Sequence, residues 1–202
     1  MVEKASRLLV EGFVYLRNHP LLLPIIFLHA TVGFTSFDAL VALLAKENYA
    51  HIVSEPLAIG TIDAIRAAGL FIGPLLFIRF KQLNRLLLWL LIGQGVGIWF
   101  WALLQPWYYL SFIGLFLTGL FTTSIWSITY SMLQTTTEEG YRGRVIAYND
   151  MLFLLTNAVV ALAIGFLADS GIPLWLITGG LGTLFLLSAG YYGLVKKRFT
   201  FQ

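Results

Sequence analysis

Six apolar runs, each about as long as a lipid bilayer is thick, leave this chain few folds to choose from. They cover 21–45, 57–78, 86–104, 107–131, 147–168 and 173–195. A transmembrane helix needs roughly 20 apolar residues, whereas barrel strands read as short alternating segments separated by turns. Charge agrees with the apolar pattern: 11% of residues are charged, against roughly 25% in a soluble domain. The expected fold is an all-α membrane protein with six transmembrane helices. Residues 1–20 form an amphipathic interfacial segment, and 21–202 form the membrane domain.

Residues 3–18 place Leu8, Leu9, Phe13 and Leu16 opposite Lys4, Arg7, Glu11 and Arg17 at helical spacing. Such a helix either lies on the membrane surface or simply extends the first span. His19-Pro20 closes it, because the residue before a proline resists helix. Glu3 and Glu11 interrupt this stretch, and the first long apolar run is a full span, so no signal peptide is expected.

The basic residues give the orientation. Lys4, Arg7 and Arg17 precede span one; Arg79, Lys81 and Arg85 follow span two; Arg142 and Arg144 follow span four; Lys196, Lys197 and Arg198 follow span six. Of the remaining two, Lys46 falls on the opposite side and Arg66 lies within a span. The positive-inside rule makes the rich side cytoplasmic, and an even number of spans puts both termini there. The outer connections, 46–56, 105–106 and 169–172, leave no room for an outer domain.

With no cysteine, disulfides and thiolate metal sites are excluded. No GxSxG, HExxH or GxxxxGK(S/T) stretch is present, and the three histidines lack metal spacing. No enzyme activity, metal, cofactor or nucleic-acid partner is expected.

Function must therefore come from polar residues inside the spans, which are costly unless they face a bundle interior or a wet cavity. His29 and Asp38 lie in span one, Asp63 and Arg66 in span two. Asp63 and Arg66, three apart, share a helix face. At roughly 1.5 Å per residue, both match the depth of Asp38 across a short outer loop. A charge cluster in the outer half is expected, with Arg66 neutralising one or both acids. It is either a substrate or proton site, or a structural ion pair. On a straight helix His29 is out of phase with Asp38, so it reads as a hydrogen-bonded interior residue. Span four carries a stripe of Ser111, Gly114, Thr118, Thr122 and Thr129 with Trp126 beside it, and span five has Asp150 and Asn157 on one face. The stripe suits a cavity for an amphipathic molecule or plain packing with hydroxyls bonded back to the helix. Glycines at 93, 95 and 97 in span three, and at 179, 180, 182 and 190 in span six, mark close helix packing.

Between spans four and five runs the longest interior polar interval, TTTEEGYRGRVIAYND from Thr135 to Asp150. Its Arg142-Gly143-Arg144-Val145, together with Glu11-Gly12-Phe13 and Tyr15 through Leu22, resembles the C-terminal half of major facilitator superfamily transporters, nearest the bacterial drug and siderophore exporters. The loop from Gly73 to Lys81 departs from the family's G-x-x-x-D-R-x-G-R-K signature in lacking the aspartate. The resemblance covers essentially the whole chain and implies two inverted three-helix repeats, spans one to three and four to six. Spans one, two, four and five would line a central cavity. It implies export of a small amphipathic compound driven by protons across a bacterial inner membrane, in company with an N-terminal six-helix half or a second copy. On this reading Asp38, Asp63, Arg66, Thr118, Thr122, Trp126 and Asn157 form the substrate and proton pathway. Arg79, Lys81, Arg142, Arg144 and Asp150 form a cytoplasmic gate. The alternative is a non-transporting six-helix protein, either a truncated product or an interaction subunit.

Overall fold

Helix runs through almost the whole chain. The computed structural model describes residues 2–77, 79–80 and 82–196, and among these no strand occurs. The helices are α1 (Val2–Asn18), α2 (Leu22–Ala30), α3 (Asp38–Glu47), α4 (Glu55–Phe77), α5 (Leu83–Leu104), α6 (Tyr108–Thr136), α7 (Arg142–Asp169) and α8 (Leu174–Val195). A 3₁₀ segment, Thr31–Thr35, joins α2 to α3. Six stretches are long and apolar enough to cross a membrane, the first being Leu22–Glu47, which combines α2, the 3₁₀ segment and α3. Spans four and five run further than their apolar cores, to Thr136 and from Arg142. The polar interval from Thr135 to Asp150 is thus mostly helix, and only 137–141 is left as a loop.

Span one is not the straight helix expected from its hydropathy. The Thr31 hydroxyl donates to the Leu28 carbonyl at 2.7 Å and the Thr35 hydroxyl to Val32 at 2.8 Å. Such bonds compete with the helix ladder, and 3₁₀ geometry follows. Ser36 then leaves helical geometry, with ψ at 75°. Gly33 lets α7 approach the break: a Cβ there would lie 2.9 Å from Thr156 Cβ and 3.2 Å from the Phe153 carbonyl. The phase comparison of His29 with Asp38 therefore does not apply, since the break rotates α3 relative to α2.

Helix pairs are set by small residues, as membrane packing favours. The closest approach is α4 on α6. A Cβ on Gly69 or Gly73 would strike the Phe116 or Leu120 carbonyl, and one on Gly119 would strike that of Arg66. Helix α5 meets α8 where a Cβ on Gly95 or Gly182 would lie 2.8 Å from the other's carbonyl. It meets α6 where Gly114 lies on the Trp101 backbone. By contrast Gly180 and Gly190 face open space. Helix α7 packs on α2, the 3₁₀ segment and α3. The window of highest hydropathy is only 17% buried in span two and 11% in span five, so these spans form the open flanks of the bundle.

Each end of the bundle carries a polar tie. At the lysine- and arginine-poor end, Tyr49 donates to the Gln105 carbonyl at 2.9 Å, and Gln105 Nε2 donates to Thr178 at 2.6 Å. At the rich end, α1 docks on the start of α7. Arg144 Nη1 lies 3.3 Å from Glu11 Oε2, Tyr15 stacks on Tyr141 at 4.2 Å, and the Glu138 amide donates to the Tyr15 hydroxyl.

Candidate functional site

The break in span one builds the site. The Thr35 carbonyl there accepts from the Phe37 amide at 2.8 Å and also from Arg66 on α4, whose Nη2 donates at 2.8 Å. The guanidinium also lies over the Phe37 ring, 4.9 Å from its centroid, a cation–π contact. Phe37 itself is fully buried. Asp38 opens α3 immediately after this ring, and Asp63 stands one turn before Arg66 on α4. Both acids are exposed, and both couple electrostatically to Arg66.

Asp38 and Asp63 lie within electrostatic reach of Arg66, but the expected pairing is not formed. Among the described residues no direct ion pair joins Arg66 to either acid. Its hydrogen bond goes instead to the carbonyl that the 3₁₀ segment exposes, a partner that no reading of a straight helix provides. Two exposed acids are left near one partly held cation.

The span-four stripe is a correction. Ser111, Thr118 and Thr129 are fully buried, and Thr122 nearly so. Their hydroxyls donate to the Tyr108, Leu115, Ile125 and Thr118 carbonyls respectively. Thr118 and Thr122 therefore satisfy the helix from within the packed bundle and line no cavity. An arc at helical period looks the same whether it faces a helix or a void, and here neighbouring helices take it.

Trp126 is half-buried and belongs to an aromatic group around His29. It meets that ring edge-on at 4.4 Å and Phe153 at 4.8 Å. His29 Nδ1 lies 2.9 Å from Thr129 Oγ1, so the histidine is the hydrogen-bonded interior residue expected. Asn157 is half-buried on α7, next to the Thr156 that packs under Gly33.

The residues expected to gate the cytoplasmic end stand in separate surroundings. Arg144 is engaged by Glu11, and the Asp150 carboxylate accepts from Asn149 Nδ2 at 3.1 Å. Arg142 is exposed. Arg79 lines a separate crevice of about 510 Å³ with Arg85, Trp89 and Phe121. Lys81 lies outside the described residues. Helix α1 occupies the start of α7 and engages Arg144 through Glu11.

Two features escaped sequence reasoning. Gly69 and Gly73 form a GxxxG in span two and make the tightest contact in the bundle; the spacing was visible. A larger crevice, about 680 Å³, runs between α7 and α8 behind Phe34, lined by Val159, Leu167, Ile177 and Leu181 among others. Its residues carry no sequence signal beyond ordinary span hydropathy. No protein-family model matches the chain, and no curated protein matches it.

Proposed function

We propose that this chain is a six-helix half of a secondary transporter of the major facilitator type, with both termini and the arginine-rich end in the cytoplasm. The observation that carries the reading is the exposure of Asp38 and Asp63. Asp63 lies eight residues into α4, about 12 Å along the helix at ~1.5 Å per residue. An acid at that depth is costly against lipid and is stable beside water or a countercharge. The face made by α3 and α4 is therefore best read as one wall of a wet cavity. An N-terminal six-helix half or a second copy would supply the other wall.

The helix neighbours lend support. Exchanging spans one, two and three with four, five and six turns the α4–α6 contact into the packing of α7 on span one. It turns α5–α6 into the packing of α8 on span one, and returns α5–α8 to itself. Two inverted repeats would produce this set of neighbours. The substrate class, a small amphipathic compound exchanged for protons and exported across a bacterial inner membrane, follows from the resemblance of the RGRV and EGF stretches. Asp38, Asp63 and Arg66 form the site; Trp126 on α6 and Asn157 on α7 are half-buried.

The burial of Thr118 and Thr122 favours a second reading, a six-helix protein that does not transport and uses Arg66 only to hold α4 against span one. Cysteine accessibility separates the two, because the chain has no native cysteine. Asp38→Cys and Asp63→Cys, in vesicles of either orientation, are expected to react with a membrane-impermeant maleimide. Leu162→Cys on α7, 75% exposed and apolar in surroundings, is the lipid-facing control. If both aspartate sites stay as inert as the control, there is no wet wall and the transporter reading fails.

A further inference from the structure

The middle of the chain is basic without compensation. Residues 64–137 contain Arg66, Arg79, Lys81 and Arg85 and no aspartate or glutamate. Arg66 is engaged by the Thr35 carbonyl. Arg79 and Arg85 are exposed, and among the described residues neither has an ion-pair or hydrogen-bond partner. Two such cations at the end of a bundle would be unremarked if only water surrounded them. Instead they line one crevice of about 510 Å³, where Gln82 is the only other polar side chain.

A missing side chain shapes the crevice. Arg85, Trp89 and Gly93 recur every four residues and so run along one side of α5. Gly93 has nothing to fill that row, and the Phe121 ring of α6 takes the space: a Cβ on Gly93 would stand 2.9 Å from it. Phe77, at the end of α4, stacks on the same ring at 6.1 Å between centroids, and Phe80 packs on Phe77. Trp89 is 67% exposed and Phe80 57%. Arg85 opens the third span, and Trp89 lies one turn, about 6 Å, further in at ~1.5 Å per residue. Charge therefore stands at the rim, and aromatic surface lies deeper.

A ligand matched to that order has an anionic head and an apolar tail. We propose that the crevice binds one anionic phospholipid, its phosphate held by Arg79 and Arg85 and the start of an acyl chain laid against Trp89, Phe80 and Phe121. Guanidinium donors match phosphate oxygens in pairs, and basic pockets between membrane helices suit such headgroups. A zwitterionic lipid would bring its own cation up to the arginines. A free phosphate would leave the aromatic surface uncovered. The absence of acids is what keeps the site available, because a carboxylate in the same connection would pair with the arginines itself. The site needs spans two and three to lie in a bilayer and does not depend on transport. Only its leaflet, the cytoplasmic one, follows from the orientation proposed above.

Native mass spectrometry of the full chain tests it. The purified protein is mixed in detergent with equal amounts of phosphatidylglycerol and phosphatidylcholine of the same acyl chains. It is expected to keep one phosphatidylglycerol per chain, favoured by about thirtyfold, the ratio given by two arginines at ~1 kcal/mol each. Arg79→Gln with Arg85→Gln is expected to abolish the preference; neither side chain holds a bond in the fold, so no internal contact is lost. Trp89→Ala keeps both charges and is expected to lower retention several-fold, because the acyl chain loses its wall. Arg142→Gln, exposed at the same end but outside the crevice, is expected to change nothing. Equal retention of the two lipids by the parent would overturn the proposal. So would a preference that survives the double substitution, falls as far in Arg142→Gln, or is accompanied by full retention in Trp89→Ala. Displacement of the lipid by inorganic phosphate would also overturn it, making the crevice an anion site and not a lipid site. No step uses transport, so failure here leaves the transporter reading standing.

Discussion

Glycine in this bundle means two opposite things, and single substitutions tell them apart. At Gly73 an added Cβ meets the Leu120 carbonyl, a backbone atom that cannot swing away. Gly73→Val is therefore expected to push α4 off α6, at a cost of about 1–3 kcal/mol or more for overpacking. At Gly60, in the same helix, nothing lies within 4 Å. Gly60→Ala removes only backbone freedom and is expected to stabilise the helix by up to ~1 kcal/mol. Thermal unfolding of both variants in one detergent checks the signs. A Gly73→Val protein as stable as the parent would mean that the α4–α6 contact is looser than drawn. Arg66 shows the same dependence on backbone. Its partner is a main-chain oxygen, so the bond survives most changes to the side chain of Thr35.

At the scale of elements, the least expected contact joins α1 to α7. Both stretches that carry the family resemblance, around Glu11–Leu16 and Arg142–Val145, lie in it. The Glu11–Arg144 ion pair is substantially solvent-exposed, with side chains 41% and 28% accessible. Alone it is worth no more than ~1 kcal/mol, so Glu11→Gln is expected to leave stability nearly unchanged. The dock is held mainly by the Tyr15–Tyr141 stack and by the buried Leu16. Its geometry can be trapped. A Cβ on Gly12 would stand 3.0 Å from Arg144 Cβ, a little closer than the usual ~3.5–4.5 Å of a disulfide, so a small outward shift of α1 brings the pair into range. Gly12→Cys with Arg144→Cys is expected to cross-link on mild oxidation, read as a reducible mobility shift on a gel. Gly12→Cys with Arg142→Cys should not. Equal cross-linking by both pairs would mean that α1 slides over α7 and does not dock.

The whole molecule presents two flanks with little cover, α4 and α7, and α4 carries the exposed Asp63 within its span. Apolar exposure is no burden in lipid, where Phe71, Leu162 and Phe166 are at home. Exposed acids are a different matter, and the simplest relief for a lone chain is a second copy. The purified 22.6 kDa chain is therefore expected to sediment as a dimer in nanodiscs or mild detergent. Asp63→Arg, which adds a like charge beside Arg66, is expected to weaken that dimer. A strict monomer whose Asp63→Cys is also inert to maleimide would leave no wet face to enclose.

Six spans, their approximate ends and the clustering of basic residues at one end were legible in the chain. Hydropathy is a property of consecutive residues, and the bilayer sets the length each span must reach. That Asp38 and Asp63 fall within electrostatic reach of Arg66 was also legible, because a short connection joins the neighbouring spans that carry them. Direction around each helix was not. Thr118 and Thr122 make the same periodic arc whether they face a cavity or α5, and only packing chose. The 3₁₀ break was hidden as well, since Thr31, Gly33 and Thr35 are tolerated within a helix until α7 presses against it. That break gives Arg66 its carbonyl and sets His29 among three aromatic rings from two other helices. Composition along the chain was enough to mark six helices long and apolar enough to cross a membrane. The tertiary structure decided which side chains face one another, because helix rotation is settled by the neighbours a helix finds.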